Sequence, residues 1–246
     1  GTLPTGISFV KSTLVGGDIR IRLTGAASLA DYQTALAQVE FTNAEAAPDT
    51  TDRMVVVDVR DTDGLRSNEA TATIKVVEVL SPPILVPDPN LNNSVGGKFV
   101  TTFTENGSPV SIVDTDVAVN DPDSTILVLA EIVLTNTFAD DELQVNFPAS
   151  VPAGTFSTET VDPVTGAITV TIQSVTGLNQ AQMAAAVSGI TFTNTSEDPD
   201  TTPRLLTVTL TDNSGTTGSD VPVCVNVVAL VDPPAIDLDA NNSTAT

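Results

Sequence analysis

The sequence repeats itself at a spacing of 151 residues, measured from Phe41 to Phe192, and this repeat restricts the possible folds more than any other feature. The tripeptide Phe-Thr-Asn returns at that spacing, and so does the segment Pro-Asp-Thr-Thr-x-Arg, which ends first at Arg53 and then at Arg204. Repeats of this kind are typical of arrays of similar domains. We therefore divide the chain into the C-terminal part of a first repeat (1–80), a complete repeat (81–231) and the opening segment of a third repeat or a donor strand (232–246).

Apolar and polar residues alternate along many short segments, which is the pattern of strands with one buried face. Clusters of Gly, Pro, Asn and Asp separate these segments, as expected for turns. The pattern predicts an all-β fold of tandem antiparallel β-sandwiches. Inward-facing side chains are expected at Ile19, Ile21 and Leu23, at Val55, Val57 and Val59, and at Ile168, Val170 and Ile172.

Each repeat also contains one short segment with helical spacing. The first begins after Ser28, a suitable N-cap with Asp31 at position N3, and the second begins after Asn179. Because an apolar stripe at this spacing is usually part of a core, both helices are predicted to close the end of a sandwich. The stripes consist of Leu29, Tyr32, Leu36 and Val39 in the first helix and of Met183, Val187 and Ile190 in the second.

The charge of the chain excludes several classes of protein. With 31 Asp and Glu against 9 Lys and Arg, the net charge is −22, which disfavours binding to nucleic acid or to an anionic membrane surface. The absence of His excludes Ser-His-Asp catalysis and imidazole ligands for zinc, and a single Cys excludes an internal disulfide. The apolar run 126–134 has nine residues, too few to insert into a membrane.

Three segments of the complete repeat resemble cadherin-type repeats. Phe103–Val110 reads FTENGSPV, Asn120–Ser124 reads NDPDS, and Leu210–Gly215 reads LTDNSG, similar to the opening strands, the Asp-x-Asp loop and the late Asp-Gly turn of that family. The unit of Tyr-Gln-x-Ala-Leu, Phe-Thr-Asn and Pro-Asp-Thr-Thr-x-Arg is similar to the tandem cadherin-like repeats of large bacterial extracellular surface proteins and adhesins.

This resemblance implies a cadherin- or immunoglobulin-like sandwich, a location outside the cell at the bacterial surface, and calcium as the bound ion. The positions that match the family's calcium ligands are Glu105, Asp121, Asp123 and Asp232. The chain also departs from the family. The junction at 231–234 lacks the central Asn-Asp, the junction at 80–83 has no acid before its prolines, and no Asp-Arg-Glu motif is visible.

The residues themselves also favour calcium. Calcium takes six to eight oxygen ligands and no nitrogen or sulfur, and this chain is rich in carboxylates and has no His. Further acids at alternate positions in loops are Asp114 with Asp116, and Asp198 with Asp200 next to Glu197. Two such acids can turn toward one ion. The alternative is that these acids lie on solvated turns and keep the protein soluble.

The repeated Pro-Asp-Thr-Thr-x-Arg segment suggests a local structural feature rather than a binding site. In each copy an Asp precedes an Arg by four residues, at Asp49 and Arg53 and again at Asp200 and Arg204. The spacing predicts a local ion pair or an Asx turn in both places.

Three functions are compatible with these features to different degrees. The first is a non-enzymatic structural or adhesive repeat, stiffened by calcium, with neighbouring repeats, identical subunits or a cell-surface or matrix ligand as partners. The alternative is a subunit of a filament or surface layer in which residues 232–246 donate a strand to another chain. A glycoside hydrolase is disfavoured, because the chain has no Trp, one Tyr and no visible nucleophile–base constellation.

Overall fold

The structure is a computed structural model that describes residues 2–232. Strands account for 42% of it and the described residues contain two short helices, which confirms the predicted all-β sandwich class. The chain divides into two compact units, residues 1–48 and 49–246. Within residues 2–232, neither helix is long and apolar enough to span a membrane. The predicted donor segment falls, apart from Asp232, outside the described residues.

The first unit contains one antiparallel hairpin, β1 (Ser8–Thr13) with β2 (Ile19–Thr24), followed by the helix α1 (Leu29–Leu36). The predicted N-cap is confirmed as a capping box. The side-chain oxygen of Ser28 accepts from the Asp31 N–H at 3.2 Å, and the Asp31 carboxylate accepts from the Ser28 N–H at 3.1 Å. These bonds satisfy two backbone donors that the first turn leaves unpaired.

The second unit begins with the antiparallel hairpin of β3 (Arg53–Val57) and β4 (Ala70–Ile74), and the rest of it is a sandwich. The elements of this sandwich are β5 (Ile84–Val86), β6 (Ser94–Val95), β7 (Lys98–Thr104), β8 (Val110–Ser111), β9 (Ala118–Asn120), β10 (Ile126–Leu134), β11 (Asp141–Val145), β12 (Thr155–Val161), β13 (Ile168–Asn179), α2 (Gln180–Ser188), β14 (Ile190–Asn194), β15 (Arg204–Asp212) and β16 (Val221–Val228).

The main sheet of the sandwich has the strand order β12-β13-β10-β15-β16-β7-β6, and smaller sheets are formed by β11-β14-β8 and by β5-β9. The pairs are antiparallel except that β7 runs parallel to β16. The core lies between the main sheet and the sheet of β11, β14 and β8. Phe103 and Phe192 meet there edge to face, with ring centroids 5.6 Å apart. Aromatic pairs favour this geometry.

In the complete repeat, the alternation of apolar and polar residues correctly predicts which side chains are buried. Ile168, Val170 and Ile172 are buried on β13. The stripe of α2 is also part of the core, and its residues Met183 and Val187 are buried, as the helical spacing predicts. The third residue predicted for this stripe, Ile190, is buried too, but it is the first residue of β14 and not part of the helix. An N-cap at Asn179 fixes the start of this helix through a second capping box with Gln182.

In the first repeat most of the same predictions are wrong, and only Leu23, Tyr32 and Val57 of the predicted inward residues are half-buried. Leu29 is 83% exposed in α1, Ile19 is 63% exposed in β2, and Val59 is 50% exposed and lies beyond the end of β3. Ile21, Val55, Leu36 and Val39 are exposed as well. In α1 the buried residue is Ala35, and the hydroxyl of Tyr32 donates to the carbonyl oxygen of Gly25 at 2.8 Å.

The repeat itself explains this difference. Shifted by 151 residues, β2 corresponds to β13 and β3 corresponds to β15. In the complete repeat, β10 lies between β13 and β15 and pairs with both. The counterpart of β10 is not among residues 1–80, because it would precede β2 by the same distance as β10 precedes β13. Within residues 2–232, the hairpin of β1 and β2 and the hairpin of β3 and β4 are each a two-stranded sheet, and apolar side chains such as Ile19 and Val55 are exposed on them.

Candidate metal centres

A buried glutamate lies at the end of β7. Glu105 directly follows this strand, and its N–H donates to the carbonyl oxygen of Val228 at 2.9 Å, which extends the pairing of β7 with β16. Glu105 is 1% exposed, and its Oε2 accepts from the N–H of Leu230 at 2.6 Å. Its Oε1 is buried without a hydrogen-bond partner. A buried carboxylate oxygen that has lost its water and gained no donor is costly, and a cation beside it removes that cost.

Two further carboxylates converge on this glutamate. Glu197 lies in the loop between β14 and β15, and Asp232 follows β16. Each offers a carboxylate oxygen, and these two oxygens and one of Glu105 all lie within 4.8 Å of one another. We call these three residues the Glu105 cluster. The structure thus brings together Glu105 and Asp232, which the resemblance names as ligands, and adds Glu197 from the acidic loop 197–200.

The second predicted pair, Asp121 and Asp123, lies in the loop before β10. Asp121 is 5% exposed, and its Oδ1 accepts from the backbone N–H groups of Ser124 at 3.0 Å and Asp123 at 3.3 Å. The Oδ2 of Asp123 accepts from the N–H of Ser81 at 2.8 Å. Asp121 Oδ2 and Asp123 Oδ1 are buried without partners. Burial first, and then the neighbouring Asp123 carboxyl group, raise the pKa of Asp121.

A third group of acids forms around Asp88, in the loop between β5 and β6. Asp88 is 1% exposed, and its Oδ2 accepts from the N–H of Asn93 and the hydroxyl of Ser94, both at 2.8 Å. Its Oδ1 is buried and unpartnered. Carboxylate oxygens of Asp88, Asp114 and Asp116 lie within 4.8 Å of one another. We call these three residues the Asp88 cluster.

Hydrogen bonds keep one member of this cluster ionised. The N–H of Thr115 donates to Asp114 Oδ1 at 2.6 Å, and this bond is the main reason that the pKa of Asp114 lies below its ordinary value. The side-chain amide of Asn93 donates to Asp114 Oδ2 at 3.1 Å and contributes in the same direction. The cluster therefore carries negative charge at neutral pH.

The remaining predicted ligands, Asp198 and Asp200, do not belong to either cluster. Within residues 2–232, the groups of three converging acids include neither of them. Both are exposed. The carboxylate of Asp200 accepts from the N–H of Thr202 at 2.8 Å in an Asx turn, and the hydrogen bonds of Thr202 lower the pKa of Asp200. The local role of Asp200 is therefore to form this turn.

The predicted Asx turn is confirmed in both copies of the repeated segment, and the predicted local ion pair is confirmed in the first copy. Asp49 accepts from the Thr51 N–H as Asp200 does from Thr202, and Arg53 forms an exposed ion pair with Asp49 at 3.8 Å. Arg204 differs, because its salt bridge is with Asp141, at 2.8 Å, and both side chains are fully buried. The turn predicts the local geometry, and the tertiary fold decides which of the two arginines is buried.

Asp88 and Asp212 are the buried acids that the sequence reasoning missed. Asp212, at the end of β15, accepts three hydrogen bonds from Ser214 and Thr216 through Oδ1, and its Oδ2 is buried and unpartnered. A signal for Asp88 is present in the sequence, because Asp88, Asn90 and Asn92 offer oxygen side chains at alternate positions. No equally clear signal marks Asp212, which reads as an ordinary turn residue.

Comparisons with known proteins add little to this geometry. No family model matches the sequence, and no curated protein matches it. Among solved structures, the chain is similar to a chain of a type I cohesin–dockerin complex from Clostridium thermocellum, with 9% sequence identity and a TM-score of 0.30 over 62% of this chain and 99% of that chain. A similarity at that TM-score carries no argument about function. The cadherin resemblance rests on the sequence motifs alone.

Proposed function

We propose that this chain is a non-enzymatic structural and adhesive module of a secreted or cell-surface bacterial protein, and that calcium fastens its repeats to their junctions. The observation that carries the proposal is the Glu105 cluster. A buried carboxylate with an unpartnered oxygen faces two more carboxylates beside the junction that begins at Asp232. Like charges in such an arrangement destabilise the fold unless a cation binds between them.

The choice of ion follows from the ligand chemistry. Every side chain in the cluster offers oxygen, which is the ligand atom of calcium and magnesium and not the preferred atom of zinc or copper. Two of the three carboxylates are exposed and lie on loops, so the geometry of the site can adapt. Calcium accepts variable geometry, whereas magnesium requires a near-ideal octahedron and gives up its water reluctantly. Calcium is therefore the better match.

The strand registers place acidic centres at both ends of the sandwich. β7 and β16 run parallel and end side by side, and Glu105 directly follows β7 at this end. The start of β15 pairs with β16 near the same end. The end of β15 pairs with the start of β10, where Leu127 lies opposite Asp212, and the loop of Asp121 and Asp123 precedes that start. The first centre is thus beside the junction at 232–234. The second contacts Ser81 of the junction at 80–83.

This arrangement suits a tension-bearing array. An ion at each end would tie the junction backbone to the sandwich, through Leu230 at one end and Ser81 at the other. Extracellular modules bind calcium with dissociation constants of roughly 0.1–1 mM, so they are filled outside the cell. Neighbouring repeats are the partners that this geometry supports most directly. An enzymatic role has no support in the residues, because the chain has no His and no nucleophile–base constellation.

The filament alternative, in which residues 232–246 donate a strand to another chain, has less support from the strand pairing. By sequence, residues 232–246 match the opening of the complete repeat, up to Ser94. A donated strand from this segment would supply counterparts of β5 and part of β6. In the complete repeat β5 pairs with β9 and β6 pairs with β7, and the counterparts of β9 and β7 at the repeat spacing do not fall within residues 1–80.

Glu105→Gln is expected to remove the benefit of calcium without harming the metal-free fold. Gln keeps an acceptor for the N–H of Leu230, and its amide replaces the unpartnered oxygen with a donor to the neighbouring acids. In about 10 mM calcium the variant should unfold about 3–10 °C below the natural protein, as one site with a Kd of roughly 0.1–1 mM predicts. In excess chelator it should unfold at the same temperature or higher. Thermal unfolding by circular dichroism measures both values.

The matched control is Glu159→Gln, which makes the same charge change at an exposed position on β12. It should leave the calcium-induced rise unchanged. Magnesium at the same concentration and ionic strength should raise the unfolding temperature of the natural protein much less than calcium. Equal unfolding temperatures in calcium and in chelator would contradict the proposal and would make the acidic loops a solvated surface.

A further inference from the structure

We infer that the Asp88 cluster is a separate calcium site inside the complete repeat, which joins the loop 87–93 to the turn 114–116. It goes beyond the junction sites proposed above, because it lies between two loops of one sandwich and uses none of the same residues. The second observation that supports it, besides the acids themselves, is the buried and unpartnered Oδ1 of Asp88.

The hydrogen bonds of Asp88 define which of its oxygens is available. Oδ2 is held by the N–H of Asn93 and the hydroxyl of Ser94, so the orientation of the carboxylate is fixed by its own loop. Oδ1 is the remaining atom of a side chain that is 99% buried. A carboxylate oxygen of Asp88 lies within 4.8 Å of one oxygen each of Asp114 and Asp116, so the carboxylate of Asp88 is directed into the cluster.

No basic side chain balances this charge. Within residues 2–232, no Lys or Arg forms a salt bridge with Asp88, Asp114 or Asp116. The polar neighbours are neutral amides and hydroxyls. Asn90 donates to Asp116 Oδ2 at 2.6 Å, Asn93 donates to Asp114 Oδ2 at 3.1 Å, and the hydroxyl of Ser94 donates to Asp88. Three carboxylates with oxygens within 4.8 Å of one another and only neutral donors around them lack the counter-charge that a divalent cation would supply.

The ligand set matches the needs of calcium. Asp88, Asn90 and Asn92 stand at alternate positions, which is the spacing of the first three oxygen ligands in an EF-hand loop. The loop differs from an EF-hand, since Asn93 stands at the position of its invariant Gly. Asp114 and Asp116 come instead from a second loop. Asn90 orients Asp116 through its amide N–H, while its Oδ1 accepts from the N–H of Asn92 at 3.0 Å. The three carboxylates would be the charged ligands, and water would complete six to eight ligands.

An ion here would stabilise one edge of the sandwich. The N–H of Asp114 already donates to the carbonyl oxygen of Pro87 at 2.8 Å, next to the pairing of β5 with β9. β5 is a three-residue strand paired only with β9, so a second connection between the same loops adds support where the sheet is smallest. The site would thus hold the first strand after the junction in place.

The test counts bound calcium on the full chain by equilibrium dialysis with radioactive calcium and follows thermal unfolding in parallel. Asp88→Asn should bind one calcium ion fewer per chain than the natural protein. In about 10 mM calcium its unfolding temperature should fall by about 3–10 °C. In chelator the variant should be as stable as the natural protein or more stable, because Asn retains the acceptor and removes the unpaired charge.

Asp116→Asn tests the same site at an exposed position, where the substitution cannot disturb the core, and it should weaken binding at one site at least tenfold. Glu159→Gln again serves as the control for charge. Unchanged calcium stoichiometry in both Asp variants would overturn the inference, as would an equal loss of stability for Asp88→Asn in calcium and in chelator. If Glu105→Gln loses an ion and Asp88→Asn does not, the junction proposal stands and this one fails. If Asp88→Asn loses an ion and Glu105→Gln does not, this inference stands and the junction proposal fails.

Discussion

Replacing Arg204 with Ala is expected to destabilise the protein by about 3–5 kcal/mol, because it leaves the buried carboxylate of Asp141 without its partner. The guanidinium donates to both oxygens of Asp141, at 2.8 and 3.0 Å, and neither side chain is exposed. It also donates to the carbonyl oxygens of Asp200 and Thr202 and lies over the ring of Phe138, 4.3 Å from its centroid. Denaturant unfolding of the full chain measures the loss.

The internal repeat supplies a matched control for this substitution. Arg53 occupies the same position in the first repeat, donates to the carbonyl oxygens of Asp49 and Thr51 in the same way, and is partly exposed. Arg53→Ala should therefore cost no more than about 1 kcal/mol, as expected for an exposed ion pair. Similar losses for the two variants would show that the carbonyl bonds of the turn, and not the buried ion pair, are responsible for the effect.

Arg204→Lys separates charge from geometry. Lys keeps the positive charge but cannot form two parallel bonds to one carboxylate or stack on an aromatic ring in the same way. We expect it to recover only part of the lost stability. Complete recovery would mean that the charge alone matters at this position. A double-mutant cycle with Asp141→Ala then measures the coupling, which should be strong because the two residues share two hydrogen bonds.

The behaviour of this arginine shows what the sequence can and cannot reveal about the fold. The repeated segment predicts the Asx turn at Asp200 and at Asp49, since the turn depends on neighbouring residues. It does not predict that Arg204 reaches Asp141, which is 63 residues away in the sequence. In the complete repeat Arg204 is buried in a sandwich in which β10 joins β13 to β15, and the counterpart of β10 at the repeat spacing does not fall within residues 1–80. Local patterns carry no information about such long-range layers.

The candidate metal centres were also predictable from the sequence only in part. The motif resemblance places Glu105 and Asp232, and the structure brings them together. Asp198 and Asp200 look equivalent in the sequence to Asp114 and Asp116, yet only the latter pair meets a third acid within residues 2–232. The difference comes from Asp88, which the pairing of β5 with β9 brings to their loop. A pair of acids becomes a candidate metal site only where strand pairing brings a third acid beside it. This pairing is a property of the tertiary fold and cannot be read from the local sequence.

The second large effect is expected at Asp121, where calcium should cancel much of the stability that a substitution gains in chelator. In chelator at neutral pH, Asp121→Asn should stabilise the protein by about 1–3 kcal/mol, because it removes a buried carboxylate oxygen that has no hydrogen-bond partner. The Asn oxygen can still accept from the N–H of Ser124. In about 10 mM calcium the natural protein gains the stabilisation of one ion, about 1.4–2.7 kcal/mol for a Kd of roughly 0.1–1 mM, and the variant does not. The advantage of the variant should therefore shrink by that amount.

The pH dependence in chelator gives an independent check of this substitution. Burial and the neighbouring Asp123 carboxyl group raise the pKa of Asp121 in the folded state. A group with a raised pKa contributes stability that is fully present below its unfolded pKa, about 4, and is lost as the pH rises through the folded value. The advantage of Asp121→Asn over the natural protein should therefore be near zero at about pH 3 and should grow toward neutral pH.

Asp162 provides a control with the opposite sign. Its carboxylate is exposed and accepts from the N–H groups of Thr165 and Val164. Both bonds lower the pKa of Asp162, and the bond from Thr165 has the larger effect. A lowered pKa contributes stability above the unfolded value that is lost as the pH falls through the folded value. Asp162→Asn should therefore be less stable than the natural protein at neutral pH and equally stable in acid, and calcium should not change this difference.

If Asp121→Asn follows this same course, Asp121 is an ordinary turn carboxylate. If calcium lowers the advantage of Asp121→Asn by about 1.4–2.7 kcal/mol, the loop that contacts Ser81 binds an ion, and the first junction is held to the sandwich through it.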